Sequence, residues 1–442
     1  MHHHFASRRR SPPVLIVGLL AGCLLGGGPA AAQEAAAKYP TWTKFELSSE
    51  TRDFRAKLRD GGGFEAADRE FVVRQALPQL GFESNRASIE RVRRRIREAI
   101  LEEMTDPKAY DTAARAVLEA MLAKARDKAT DPLVGVNAML LVGELRGLDR
   151  RPLPAALPGL VAAAADAGLP IGLRIAAAVG LSRHAETAAA SGDVAAVVKA
   201  VAPALGPMLT APTPGPAADW LASRALSIMQ VLGPPAATKD ALAAAAAILA
   251  DESRPVDVRI RAGLALGATA GADSGLDVAR AVAAVRSCAI VGLRDDVKGA
   301  EVRQFEAQLV GGNPQPQPPG PATPPPPPVP QLACRRDAWR LSACAQALEG
   351  PDGGSGLAAL LAGDAAAAAK ELAAQLRQSA TSLDANPNAQ GVVDALATLT
   401  QEPPASPAAA PAGSPPAPTP ASPTQPTSPF DAPSPDSSPF GP

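Results

Sequence analysis

The chain has 442 residues, with 43 Lys and Arg against 44 Asp and Glu and only 3% aromatic side chains. That balance excludes a strongly basic nucleic-acid-binding protein, because phosphate contacts require a clear cationic excess. Hydrophobic residues at 46%, together with 47 prolines, describe small-residue helices that alternate with irregular segments.

Residues 1–33 read as an export signal. Arg8, Arg9 and Arg10 precede an apolar run from Val14 to Leu25, shorter than the roughly 20 residues that a spanning helix needs. Two processing routes fit the residues that follow. Leu20-Ala21-Gly22-Cys23 resembles a lipobox, which makes Cys23 a lipidation candidate, and Ala30-Ala31-Ala32 suits cleavage after Ala32. Either route predicts an exported protein, periplasmic or anchored as a lipoprotein, that touches membrane only through a possible lipid anchor. Three of the four histidines fall in the removed segment. The fourth, His184 in "LSRHAE", is expected near a helix C-terminus, where partial positive charge is favourable.

Residues 34–107 read as an N-terminal helical cap with helices near 46–60, 65–80 and 87–105. Tyr39, Trp42 and Phe45 in "KYPTWTKF" are expected either to pack over the first repeat or to make an exposed aromatic contact. In "SIERVRRRIREAILEEM" the residues Ile89, Val92, Ile96, Ala99 and Ile100 share one helical face. The opposite side carries Arg91, Arg93, Arg94, Arg95 and Arg97. Arg91, Arg94 and Arg95 are therefore binding candidates for acidic protein or lipid headgroups, against the alternative of a solvated face held by Glu90 to Arg94 and Arg94 to Glu98 pairs.

Residues 108–310 repeat. Four segments align on a terminal glycine or its equivalent: Asn137 to Gly143, Arg174 to Gly180, Arg224 to Gln230 and Arg261 to Gly267, with steps of 37, 50 and 37 residues. A step near 40 is the signature of stacked helix pairs. The longer step contains the turn-forming run "TAPTPGPA" at 210–217. Each copy has a preceding helix, as in Val194, Val197, Val198, Val201 and Leu205, whose apolar stripe no single pair can bury.

Asp257, Arg259, Ala262, Leu266 and Gly267 resemble the second helix of the HEAT-repeat family, and Asp131, Ala138 and Gly143 match it in part. The Arg259 position is Gly135, Gly172 and Ala222 in the other copies. The resemblance implies an all-α fold, a right-handed α-solenoid of HEAT-like helix pairs, and a role as a binding scaffold.

Residues 311–330, "GGNPQPQPPGPATPPPPPVP", carry no charge and favour extended polyproline II, so they read as a linker and a boundary. Residues 331–402 read as a small C-terminal helical segment that packs on the repeats or on a partner. Cys334 and Cys344 on one helix would lie about 15 Å apart, beyond the roughly 7 Å that a disulfide spans. Cys288, Cys334 and Cys344 are therefore disulfide candidates in which Cys288 staples to one of the other two, with three buried thiols as the alternative. The tail, 403–442, is rich in Pro, Ser and Ala and is expected to be disordered. It repeats Ser-Pro-Phe, which makes Phe430 and Phe440 binding candidates for a bivalent contact.

No nucleophile motif, phosphate loop or metal-ligand spacing occurs, so no catalytic residue, cofactor or metal is assigned. The sequence predicts a non-enzymatic exported scaffold for other envelope proteins, with an all-helical envelope enzyme using carboxylates as the alternative.

Overall fold

The computed structural model describes residues 42–210, 215–311 and 331–401. Among them every regular element is helical, with one isolated bridge between Arg146 and Pro152. The leading helices are α1 (Trp42–Glu46), α2 (Ser49–Arg59), α3 (Ala66–Phe71) and α4 (Ile89–Arg97). α3 runs on through a π turn at Val72–Ala76 and a 3-10 turn at Leu77–Gly81, and α4 through a π turn at Glu98–Glu102. Then come α5 (Pro107–Arg126), α6 (Pro132–Glu144), α7 (Leu157–Ala165), α8 (Ile171–Ser191), α9 (Ala195–Leu209), α10 (Pro216–Leu232), α11 (Lys239–Ala250), α12 (Val256–Thr269) and α13 (Val278–Gly311). Beyond residue 330 follow α14 (Gln331–Glu349), α15 (Gly363–Ala385) and α16 (Ala389–Thr400).

Local chemistry sets many of these boundaries. Asp106 and Asp131 each cap a helix that opens on proline, their side chains accepting from the amides of Ala109 (2.6 Å) and Leu133 (2.8 Å). Proline costs nothing at such a start, where its missing amide has no intrahelical acceptor. Ser48 and Thr238 cap α2 and α11 in the same way. α8 ends at Gly192, whose φ of 74° lies in the left-handed region open to glycine.

Packing follows a regular order. The even-numbered helices α6, α8, α10, α12 and α14 touch in succession, as do α7, α9, α11 and α13. Rungs join the two rows: α5 with α6, α7 with α8, α9 with α10, α11 with α12 and α13 with α14. α15 then packs on α14, and α16 on α13 and α15. One hydrophobic core runs from Trp42 to Leu399, much of it alanine, with Ala113, Ala138, Ala177, Ala225 and Ala265 fully buried. A buried methyl group contributes only about 0.8 kcal/mol, against 1.5–3 for a leucine side chain. Close approach offsets this by adding dispersion contacts. At Gly143 a Cβ atom would lie 2.6 Å from the Gly180 Cα, and at Gly267 it would lie 2.1 Å from the Ala347 carbonyl oxygen.

The Gly267 contact bears on the proline-rich stretch, which reads in sequence as a boundary. α14 lies beyond that stretch, yet it packs on both α12 and α13, and the described residues up to Thr400 form one compact unit. The composition changes there; the core does not, because the faces of α12 and α13 are covered by α14.

At the other end, Trp42 and Phe45 are buried with Phe54 and Phe71, ring centroids 4.7–5.9 Å apart. Asn85 fixes this cluster, its carboxamide oxygen accepting from the Trp42 amide at 2.8 Å while its nitrogen donates to Gln79. α4 packs on α6, and the two π turns pack on α5.

Candidate functional site: an arginine and tryptophan row

Trp42 is buried, but Trp220 and Trp339 are 38% and 40% exposed, an uncommon position for so large an apolar ring. Each is covered on one face by a guanidinium. Trp220 stands one turn before Arg224 on α10, which places the Arg224 Cζ 4.8 Å from the ring centroid. Trp339 on α14 receives Arg261 of α12 at 5.6 Å. Such cation–π contacts contribute roughly 0.5–1 kcal/mol at exposed sites. They also hold the long side chains in place.

These groups belong to a band that crosses the even-numbered helices. Arg261 donates from Nη1 to the Ser227 hydroxyl of α10 at 3.5 Å. Arg183 of α8 donates to the Gly143 carbonyl of α6 at 3.1 Å and lies 3.7 Å from Glu144. Glu144, only 11% exposed at its side chain, is also paired with Arg93 at 3.1 Å and Arg97 at 3.8 Å. Three arginines thus converge on one carboxylate at the N-terminal end of the band, whereas among the described residues no carboxylate reaches ion-pair distance of Arg224 or Arg261. Burial pulls the Arg224 pKa down, the charges of Arg261 and Arg183 pull it further, and Glu186 opposes. Burial likewise lowers Arg183, against the attraction of Glu144. In the row Arg183, Arg224, Arg261 all three cations are half-buried; Arg183 shares Glu144 with Arg93 and Arg97, while Arg224 and Arg261 have no carboxylate at ion-pair distance among the described residues. Chemically it can accept carboxylates or other anions, with two aromatic faces beside them.

A second polar cluster joins α12, α13 and α14. Arg340 is nearly buried and donates to Asp257 at 2.7 Å, and to Asp296 and Asp337 at 3.2 Å each. Arg336 also pairs with Asp296. Asp337 is fully buried. Burial and the neighbouring Asp296 carboxylate push its pKa up to about 8 against the pull of Arg340. This cluster closes an interface and offers no face to solvent at Asp337.

The sequence-predicted residues lie elsewhere. Arg91 is exposed. Arg94 approaches Glu98 at 3.9 Å, and Arg95 pairs with Glu98 at 3.1 Å, so these two sit on a face laced with carboxylates. Arg93 and Arg97, grouped with them in sequence, turn inward to Glu144. His184 does not end a helix: α8 continues to Ser191, the imidazole is buried, and burial lowers its pKa to about 4. The favourable-charge reading is corrected, since the ring faces the core with its Nε2 atom unpartnered. Cys288, Cys334 and Cys344 are buried thiols. Cys288 and Cys344 sense each other across the contact of α13 with α14. Cys334 lies instead near Asp337 and Asp296. Cys23, Tyr39, Phe430 and Phe440 lie outside the described residues.

The repeat alignment also needs a correction. It places Arg174, Arg224 and Arg261 in one column, but Arg174 acts like Arg259. Both are buried, and both donate from Nε to a carbonyl ten residues earlier, Ala164 at 3.1 Å and Leu249 at 3.0 Å. Two residues on a helix turn a side chain by about 200°, which carries an arginine from the interior to the exposed row. The signal that could have revealed the row is Trp220 one turn before an arginine of the repeat, with the last of the three tryptophans, Trp339, four helices further along the chain.

Among the described residues no group of three or more His, Cys, Asp or Glu side chains is placed to hold a metal ion, and no helix is long and apolar enough to cross a membrane. An open cleft of about 470 Å³ lies between α3 and α5. Its charges are already paired, Arg69 with Glu119 and Arg74 with Glu70. No known family matches the chain, and neither does any curated protein.

Proposed function

We propose that the chain is an exported, non-enzymatic scaffold, a right-handed solenoid of HEAT-like helix pairs that binds other proteins of the cell envelope. The observation that carries this reading is the unbroken succession of α6, α8, α10, α12 and α14 with half-exposed arginines and tryptophans at successive members. Stacked pairs of this kind present one extended surface, and such surfaces serve mainly to bind. The raised carboxylate Asp337 supports a non-catalytic role, since it is fully buried beneath Arg340. In this reading the protein takes no cofactor and no nucleic acid. Its membrane contact comes only through a lipid on Cys23, if processing follows the lipobox rather than cleavage after Ala32.

Affinity purification from a crosslinked envelope fraction tests the proposal, with the full chain run beside a version ending at Thr400. The scaffold reading expects the same named proteins in repeated preparations, and their loss on truncation would assign recruitment to the segment that carries Phe430 and Phe440. An eluate that holds only the bait overturns it.

A further inference from the structure

Arg183, Arg224 and Arg261 stand on three consecutive members of the even-numbered row, α8, α10 and α12. Packed helix axes lie about 8–10 Å apart, and an extended polypeptide advances about 3.3–3.6 Å per residue, so one step from helix to helix corresponds to about three residues of an extended chain. Three features favour a polypeptide as the occupant. The cations are few and half-buried, and they sit in a chain whose net charge is −1, whereas a nucleic-acid surface needs many exposed ones. The guanidinium forks suit carboxylates, which they can grip with two parallel hydrogen bonds. The exposed rings of Trp220 and Trp339, 38% and 40% accessible, sit at the middle and the C-terminal end of the row, where apolar side chains between the carboxylates would rest.

Resting on the scaffold reading, we infer that the row Arg183–Arg224–Arg261, with Trp220 and Trp339, is the docking track for an extended acidic segment of a partner protein, with carboxylates at about every third residue and apolar side chains between them. The track is electrostatically unsatisfied when empty. Arg224 has no ion-pair partner among the described residues and faces two like charges, with Glu186 as the opposing one. Bound carboxylates supply the missing counter-charge.

The test uses the full chain and two synthetic capped nonapeptides of identical composition. One has glutamate at every third position with alanine and phenylalanine between; the other has its three glutamates adjacent. Binding is followed by calorimetry and by tryptophan fluorescence at low salt. The spaced peptide is expected to bind at least five-fold more tightly than its isomer, to shift the fluorescence, and to weaken as salt rises. Arg224→Gln and Arg261→Gln should each lose at least five-fold in affinity. The melting temperature of Arg224→Gln should be no lower than that of the unaltered protein, a readout that separates a lost contact from a lost fold.

Equal affinity for the two peptides, or unchanged affinity in both variants, overturns the track. So does tighter binding of a single-stranded oligonucleotide or of vesicles containing phosphatidylglycerol, because the row would then read phosphate rather than a peptide. The Arg183, Arg224 and Arg261 triple glutamine variant separates the two readings in the crosslinked eluate. Undiminished recovery of the same envelope proteins leaves the scaffold standing and removes the track. A bait-only eluate from the unaltered protein removes the scaffold itself.

Discussion

Replacing Gly267 by alanine tests the packing of α14 onto the repeats. The new methyl carbon would lie 2.1 Å from the Ala347 carbonyl oxygen and 2.8 Å from the Ala347 Cα. Ordinary contact distances are near 3.5 Å, so two backbones must separate by more than an ångström. Overpacking costs about 1–3 kcal/mol, and a clash of backbone on backbone belongs at the upper end, while alanine's better helix propensity returns about 1 kcal/mol. The expected net loss is about 2 kcal/mol. Gly263, one turn earlier on the same helix, is the control. Its Cβ would meet the Val285 Cγ2 at 3.2 Å and the Ala347 Cβ at 3.6 Å, side chains that can yield, so Gly263→Ala should be neutral or stabilising by up to about 1 kcal/mol. Urea unfolding followed by circular dichroism measures both variants. A Gly267→Ala protein within about 0.5 kcal/mol of Gly263→Ala, a difference at the scale of ordinary surface substitutions, would refute the seating of α14 against α12.

Other outcomes follow from the same contacts. If the residues across α12, α13 and α14 hold the two segments together, a protease site placed within 312–330 and cut should leave the two fragments co-eluting on gel filtration, bridged by Arg340 to Asp257 and Asp296; separation of the fragments would refute this. Asp337 titrates near 4 when unfolded and near 8 when folded, so the folded state holds the extra proton between these values and stability falls as pH rises through the window. Asp337→Asn should flatten that part of the stability profile, and an unchanged slope would count against the assignment. His184 acts in the opposite sense: its pKa drops from about 6.5 to about 4, the unfolded chain holds the proton in between, and stability is lost as pH falls through that range. His184→Leu should therefore gain on the unaltered protein between pH 7 and 4 in acid unfolding, with no gain refuting the burial. Burial pushes the Cys288 thiol up to about 11 and holds the Cys344 thiol well above its ordinary value, so iodoacetamide at pH 8 should leave both unlabelled in the native protein and label both in denaturant, as read by mass spectrometry of tryptic peptides.

Much of the helical framework was legible in the chain itself. Val92, Ile96, Ala99 and Ile100 are buried as their spacing predicts, with Ile89 half-buried beside them, and of the later stripe Val201 and Leu205 are buried while Val194, Val197 and Val198 are half-buried against the core. These positions are legible because burial of a helix face imposes a period of 3.6 on the residues that carry it. Gly143, Gly180 and Gly267 each stand where neighbouring backbones leave little room for a side chain, but the register that matches Arg174 to Arg259 sets Gly180 against Ala265 rather than Gly267. The arginine column misled, because a slip of two residues leaves the composition of a segment unchanged while turning its cations through more than half a circle. Arg174 and Arg259 closed the interior; Arg224 and Arg261 were left outside.

What the sequence by itself determined was local: the helical character of the described residues and which face of a helix is apolar. Only the tertiary structure decided which helices meet across long separations. It brought Arg93 and Arg97 to Glu144 beside Arg183, set Trp339 against Arg261, and, of the two packings that the sequence left open for the segment beyond the proline-rich linker, seated α14 on α12. Those pairings depend on the summed packing of many small side chains distributed over the chain, and no short window of sequence contains that sum.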